Sequence, residues 1–354
     1  MTPGPTQVRE NVRMARSLEF QNPDLDADFC EYYKETCLLA SELLHTKNET
    51  LILDGEGILG LEAACASITE PGDRVLVIDN GLYGESFKDF VTMYGGISTL
   101  YTVDYDNPVD PEKLAEYLKE QHDFKYATVV HCDTPSGMLN DISKICPLLK
   151  SYGILTVVDS VSAMFGEEVR ADDYRIDILC GGSQKAISAP PGLTIVTISQ
   201  DAKDVMNQRK TPIASFYANL KVFEHYYEEK WFPYTMPASD IYGLRQALEN
   251  IKNDPEHLKR HEKVAEKTRT TLKEMGLTLY PHSGYSNTVT TFEVPEGFTD
   301  KEILSKMRND YNILLAGSFG CFGGKLIRIG HMGESANEKD VDEVLQALKE
   351  ILGK

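Results

Sequence analysis

Between residues 50 and 198 the chain alternates short apolar runs with stretches of helical spacing, and few folds tolerate that order. The apolar runs fall at 50–53, 74–79, 98–103, 126–131, 154–159, 176–180 and 193–198. Helical stretches lie between most of them, for example at 59–67, 85–94, 111–119 and 142–152. Apolar runs this short and continuous suit strands, and a helix between successive strands makes those strands parallel. The pattern predicts an α/β fold, a mostly parallel sheet sandwiched by helices. The pattern changes after about residue 245. A polar helical stretch, 246–275, is interrupted near Pro255, and short segments at 288–293, 301–311, 325–329 and 340–352 mix strand with helix. The expected organisation is an extended arm over 1–15, broken by Pro3 and Pro5, a large domain over 16–245 and a small α+β domain over 246–354. A long amphipathic helix is expected after Asp24, reaching Leu44.

Composition narrows the partners. A net charge of −19 argues against nucleic acid and against an anionic membrane surface. No apolar run approaches the ~18 residues of a membrane span, and Met1-Thr-Pro-Gly-Pro lacks the basic and apolar regions of a signal peptide. Seven cysteines are odd in number, scattered and without a CxxC pair, so they read as reduced thiols of a cytoplasmic protein.

The chemistry centres on Lys185, in the small-residue segment Cys180-Gly-Gly-Ser-Gln-Lys. A lysine amine does covalent work only when it loses its proton readily, and burial among apolar groups helps it do so. A preceding apolar strand ends in an acid, Leu155-Thr-Val-Val-Asp159. A carboxylate at the end of a buried strand calls for a cationic partner. A lysine for a Schiff base and an aspartate for a protonated pyridine nitrogen are what pyridoxal phosphate most requires.

Gly55-Glu-Gly-Ile-Leu-Gly60 matches GxGxxG between a strand and a helix, and the next strand ends in Asp79 about 20 residues on. Three readings stay open for the loop: an NAD-dependent enzyme, a tight turn, or a cradle for another phosphate. Free backbone N–H groups and the helix dipole favour an anion there. Glu56 opposes one unless it points away or is paired.

Taken in order, Thr2-Pro-Gly-Pro-Thr, the glycine loop, Asn80-Gly-Leu-Tyr-Gly-Glu, His131-Cys-Asp-Thr-Pro-Ser-Gly, Val158-Asp-Ser-Val-Ser, Gly182-Ser-Gln-Lys, Pro233-Tyr-Thr and Arg328-Ile-Gly-His-Met-Gly span nearly the whole chain. This series resembles the class V aminotransferases of the pyridoxal-phosphate fold-type I superfamily, in the alanine–glyoxylate, serine–pyruvate and archaeal aspartate branch. The resemblance implies that Lys185 holds the cofactor and moves protons, and that Asp159 pairs with the ring nitrogen. It implies that Tyr83 stacks on the ring, that Val161 packs on the opposite face, and that Thr134 lies by the phenolic oxygen. Gly57, Ile58 and Gln184 are matched to the phosphate, and Thr235 reaches the same phosphate from the second subunit of a homodimer. Arg328, on the apolar strand Leu326-Ile-Arg-Ile, matches the arginine that grips a substrate carboxylate with two hydrogen bonds. His331 nearby is expected to pack or bind backbone.

Relatives commonly carry Ser-Gly-Thr or Ser-Gly-His where this chain has Glu56-Gly-Ile58, and Gly-His-Arg where it has Phe20-Gln-Asn-Pro-Asp24. Gln21 and Asn22 are therefore candidate substrate contacts. The implied activity is transfer of an amino group from a small 2-amino acid, alanine, serine or aspartate-like, to glyoxylate or pyruvate. The alternative is a class V lyase or desulfurase whose thiol is Cys321, in a glycine-rich segment before Arg328.

Overall fold

The computed structural model describes residues 1–354. Seven strands form the main sheet: β1 (Glu49–Asp54), β2 (Arg74–Asp79), β3 (Ile97–Thr102), β4 (Tyr126–Val130), β5 (Leu155–Asp159), β6 (Ile178–Gly182) and β7 (Leu193–Ile198). Their spatial order is β1-β7-β6-β5-β4-β2-β3. β7 pairs antiparallel with both β1 and β6, and every other pairing is parallel. All residues of β4, β5, β6 and β7 are buried. The continuous apolar runs therefore reflect strands covered on both faces. Edge strand β3 contains no buried residue and alternates only weakly.

Two large apolar cores exist, beside a small cluster of Cys132, Ala163, Ala186, Val289 and Met332. One contains 66 buried residues drawn from the sheet and its helices. The other contains 17, centred on β8 (Val289–Glu293), the two-residue β9 (Ala316–Gly317) and β10 (Leu326–Gly330), which form a three-stranded antiparallel sheet.

The arm departs from its expected extended form. Residues Glu10–Ala15 are helical (α1), with Val12 buried against the chain. The expected helix after Asp24 is α2 (Ala27–Leu43), and Asp26 caps it by accepting from the Asp28 N–H at 3.0 Å. The next helices, α3 (Gly57–Ile68) and α4 (Leu82–Met93), begin earlier than their apolar spacing indicates. So does the helix Ala238–Lys252, which runs through residue 245 and contributes Ala247 and Leu248 to the larger core. His257–Glu274 follows it after a break that contains Pro255.

Candidate active site

In a sheet of this kind, ligands collect at the carboxyl ends of the parallel strands. Here β1 ends at the Gly55 loop, β2 leads into Tyr83, β4 into Thr134, β5 ends on Asp159 and β6 leads into Lys185. Their side chains line one cavity of about 290 Å³, with Glu56, Ile58, Val161 and Gln184. Lys185 and Asp159 thus share one pocket, which the spacing of their strands in the sequence could only suggest.

Burial is the main influence on both groups. It holds the Lys185 amine below the usual lysine range, and Arg328 adds to that effect. It pushes Asp159 up to about 7, against the hydrogen bond from the Val161 N–H at 2.9 Å and the nearby Lys185 charge. Asp159 is 5% exposed and no cation lies within ion-pair distance of it. Lys185 Nζ instead donates to the Pro3 carbonyl at 2.6 Å. The arm is pinned alongside: the Thr6 N–H donates to the Gln184 carbonyl at 3.0 Å, and the Gly330 N–H to the Met1 carbonyl at 3.0 Å.

Tyr83 occupies the first turn of α4, half-buried, with its ring 6.2 Å from that of Phe319. Its N–H donates to Asp133 at 3.0 Å. Asp133 is fully buried, accepts also from the Ser136 hydroxyl at 2.7 Å, and is pushed up to about 6 by burial. This carboxylate was missed by sequence reasoning. It ties the Tyr83 helix to the Thr134 loop across the pocket wall. The lining also includes Cys132 and Ser162, both buried; no hydrogen bond satisfies the Ser162 hydroxyl.

Arg328 lies beside this cavity rather than in its wall. Its Nε and Nη2 both donate to the Gly317 carbonyl, at 2.9 and 2.7 Å, and its guanidinium sits 5.6 Å from the Phe319 ring centre. No carboxylate is within 4 Å of it. One edge of the guanidinium is therefore committed, and its Nη1 end is free for an anion.

The phosphate position differs from expectation. Glu56 precedes α3 and its carboxylate accepts the Ile58 N–H at 3.0 Å. Its other oxygen accepts from Gln184 Nε2. Two donors matched to a phosphate are thus given to a side chain of the protein itself.

Other expected residues lie elsewhere. Thr235 is exposed and bonds Asp24 at 2.7 Å, outside this pocket. Gln21 and Asn22 are exposed, and Asn22 caps the Asp24 N–H at 2.9 Å. Cys321 is exposed on a short turn, also outside the lining. The other six cysteines are buried and none is in a disulfide. His331 is buried between Thr290 and the Asn287 carbonyl, a packing role. The acid after the GxGxxG loop, Asp79, accepts from Tyr105 at 2.6 Å and Thr102 at 3.0 Å. It is spent inside the fold and does not serve a ribose, which removes the main support for the dinucleotide reading.

A half-buried lysine with a desolvated amine and a buried aspartate, converging on one pocket at the strand ends of this sheet, define the fold-type I class of pyridoxal-phosphate enzymes. The chain belongs to the class-V aminotransferase family: the family model described as "Aminotransferase class-V" matches residues 13–342. It is 36% identical to an uncharacterised aminotransferase of Methanocaldococcus jannaschii, over 99% of this chain and 92% of that protein. It is 34% identical to a pyridoxamine–pyruvate transaminase of Mesorhizobium japonicum, over 88% of this chain and 81% of that protein. The structure of a ureidoglycine–glyoxylate aminotransferase from Bacillus subtilis superposes with a TM-score of 0.95 at 30% identity, covering 99% of this chain and 92% of that one. The chain is a transaminase of the pyridoxal-phosphate-dependent kind.

The donor set fits the ring of that cofactor. Asp159 is an unpaired buried carboxylate that a pyridinium N–H would satisfy, Lys185 is a desolvated amine, and Ser162 has an unmatched hydroxyl in the same wall. At the phosphate end the fit requires Glu56 to leave the donors it holds.

Proposed function

We propose that the chain moves the amino group of a small 2-amino acid, alanine, serine or aspartate-like, to pyruvate or glyoxylate, the acceptors in the names of its relatives. The observation that carries this reading is the shared cavity of Lys185 and Asp159 with an unpaired arginine at its side. When bound, the cofactor supplies an electron-withdrawing ring next to the reacting amine. Asp159 would hold the ring nitrogen and its proton, Tyr83 and Val161 would pack on the ring, and Thr134 would contact its phenolic oxygen. Lys185, whose amine is held below the usual lysine range by desolvation, takes the proton from the substrate Cα and later returns it. Arg328 receives the substrate carboxylate on its free end and fixes which Cα bond faces Lys185.

Gly57, Ile58 and Gln184 form the other end of the site, and Thr235 reaches it from a second subunit. Exposed Ile58, Phe216, Tyr217 and Trp231 support a homodimer with shared sites, since large apolar side chains at a surface mark contact regions. The acidic surface and the buried free thiols suit a cytoplasmic protein without nucleic-acid or membrane partners. No helix is long and apolar enough to cross a membrane. We read the chain as an arm over 1–15, a large domain over 16–245 and a small one over 246–354; the separation of the 66-residue and 17-residue cores supports this division, and the helix Ala238–Lys252 spans the join.

The test is to incubate purified protein with a panel of amino acids and either oxo acid, and to quantify alanine from pyruvate and glycine from glyoxylate. Transfer to at least one acceptor is expected. No transfer to either, with sulfide released from cysteine and lost in Cys321→Ser, overturns the assignment in favour of the lyase.

A further inference from the structure

We propose that the pocket end formed by Glu56 and Gln184 is built for a hydroxymethyl group rather than a phosphate, and that the chain accepts unphosphorylated pyridoxal and pyridoxamine in preference to their phosphate esters. The inference rests on the reading of the cavity as a pyridoxal-ring site.

Three observations carry it. Glu56 fills the anion position at the start of α3, taking the Ile58 N–H and the Gln184 amide N–H. The cavity wall holds two carboxylates, Glu56 and Asp159, and one cation, Lys185. A phosphate brought to this end meets a like charge and no compensating arginine or lysine, which disfavours it strongly in a partly desolvated site. The third observation is chemical. Gln184 is 4% exposed, and its side-chain oxygen has no hydrogen-bond partner. Turning the amide over does not help, because it would set that oxygen against the Glu56 carboxylate. This end of the pocket therefore offers two acceptors, a carboxylate and an amide oxygen, and calls for a donor. A phosphate dianion has no proton to donate. A hydroxymethyl O–H has one, and can give it to either oxygen while Glu56 stays where it is.

Without a phosphate anchor the ring is held through its nitrogen at Asp159 and its aldehyde carbon at Lys185, so it can enter and leave as a substrate. The exchange with an oxo acid balances without outside reagents. The C–N bond of the pyridoxamine aminomethyl group breaks, and a C–N bond forms at C2 of pyruvate. The aminomethyl carbon is oxidised by two electrons to the aldehyde of pyridoxal. The pyruvate carbonyl carbon is reduced by two electrons to the Cα of alanine. Lys185 carries the proton from the first carbon to the second, and the carbonyl oxygen passes between the two through water.

The experiment titrates the purified full chain with pyridoxal and, separately, with pyridoxal 5′-phosphate. Calorimetry and borohydride trapping followed by mass analysis of the Lys185 peptide are the readouts. Pyridoxal is expected to bind more tightly by about tenfold or more. Glu56→Gln removes the charge and Glu56→Ser replaces the carboxylate arm with a short hydroxyl; both are expected to shift the ratio toward the phosphate ester, with thermal melts confirming folded protein. Inorganic phosphate is expected to compete with the ester in Glu56→Ser and to leave pyridoxal binding to the native chain unaffected. Native protein with pyridoxamine and pyruvate is expected to yield pyridoxal and alanine in equal amounts over many turnovers. Tighter binding of the phosphate ester by native protein, or a ratio unmoved by both variants, overturns the proposal while leaving the ring site intact. Failure of both forms to bind or to be trapped at Lys185 overturns the ring-site reading itself, and the proposal with it.

Discussion

Lys185 Nζ is 2.6 Å from the carbonyl oxygen of Pro3, so the N-terminal arm directly orients the amine of the site. Gly4 permits this approach. Its φ is +94°, and a Cβ built on it would lie 2.5 Å from Lys185 Cδ and 2.9 Å from Cε. Gly4→Ala must therefore strain the backbone, at a cost of about 1–3 kcal/mol, or push the lysine aside. The expected outcome is a fall in kcat/KM of about tenfold or more with at most a modest shift in the thermal midpoint, because Gly4 itself belongs to neither apolar core. Steady-state kinetics beside a thermal melt check this, and an unaltered kcat/KM refutes the orienting role.

Lys185 itself is the proton carrier in this reading, so Lys185→Ala should cut turnover by about 10²–10⁴-fold. The loop around it is held by its own contacts, including the Thr6 hydroxyl on the Lys185 carbonyl at 3.0 Å. Folding should therefore survive the change. A small exogenous amine should restore part of the rate in the alanine variant, and restoration graded by amine basicity would identify the lost group as a base. Native-like turnover without added amine contradicts the assignment.

Arg328 gives two N–H groups to Gly317 and keeps its Nη1 end free. Lysine at this position has a point charge and no planar fork, so Arg328→Lys loses both the Gly317 anchor and the paired grip. A charged hydrogen bond of this kind contributes about 1.5–3 kcal/mol. KM for the amino acid is expected to rise about 10- to 100-fold, with a smaller effect on kcat. An equal fall in kcat at unchanged KM would show that Arg328 acts elsewhere than on the carboxylate.

What could be read without the fold follows a physical divide. Lys185 and Asp159 were legible because each follows a continuous apolar run, and such runs fix both strand identity and the end at which ligands collect. The start of α4 was not legible. Gly81, at φ +145°, offers no capping side chain; the Tyr83 N–H is instead capped by Asp133, fifty residues on. No local pattern records such a cap. The early start of the helix after Pro237 has the same character, since no side chain caps it. Glu56 was legible as an anomaly, but its partner Gln184 lies 128 residues away, and only the packing of α3 against the Lys185 loop reveals that the two residues close the anion position together.

The buried acids predict a distinct pH response. Asp159 is raised from 3.8 to about 7, chiefly by burial. An acid with a raised pKa in the folded state favours folding fully only below its unfolded value, and that contribution is lost as pH rises through the folded value. The window for Asp159 therefore runs from about pH 4 to about pH 7. Asp133 and Glu167, pushed up to about 6 and about 7 by burial, act in the same direction. His131, His261 and His331 oppose them. Burial lowers these to about 4, 4 and 3, so their contribution is lost as pH falls below the usual histidine range. Comparing native protein with Asp159→Asn cancels every group but one. Asparagine resembles the protonated acid and can still accept from the Val161 N–H. Without ligand, the variant should melt above native protein at pH 8 and level with it near pH 4, since each pKa unit corresponds to about 1.4 kcal/mol. With pyridoxal added the order should reverse at pH 8, because only the charged carboxylate pairs with a ring N–H. Melts of both proteins at the two pH values, with and without pyridoxal, decide it: a difference that does not change with pH means Asp159 is not the unpaired acid that the geometry makes it.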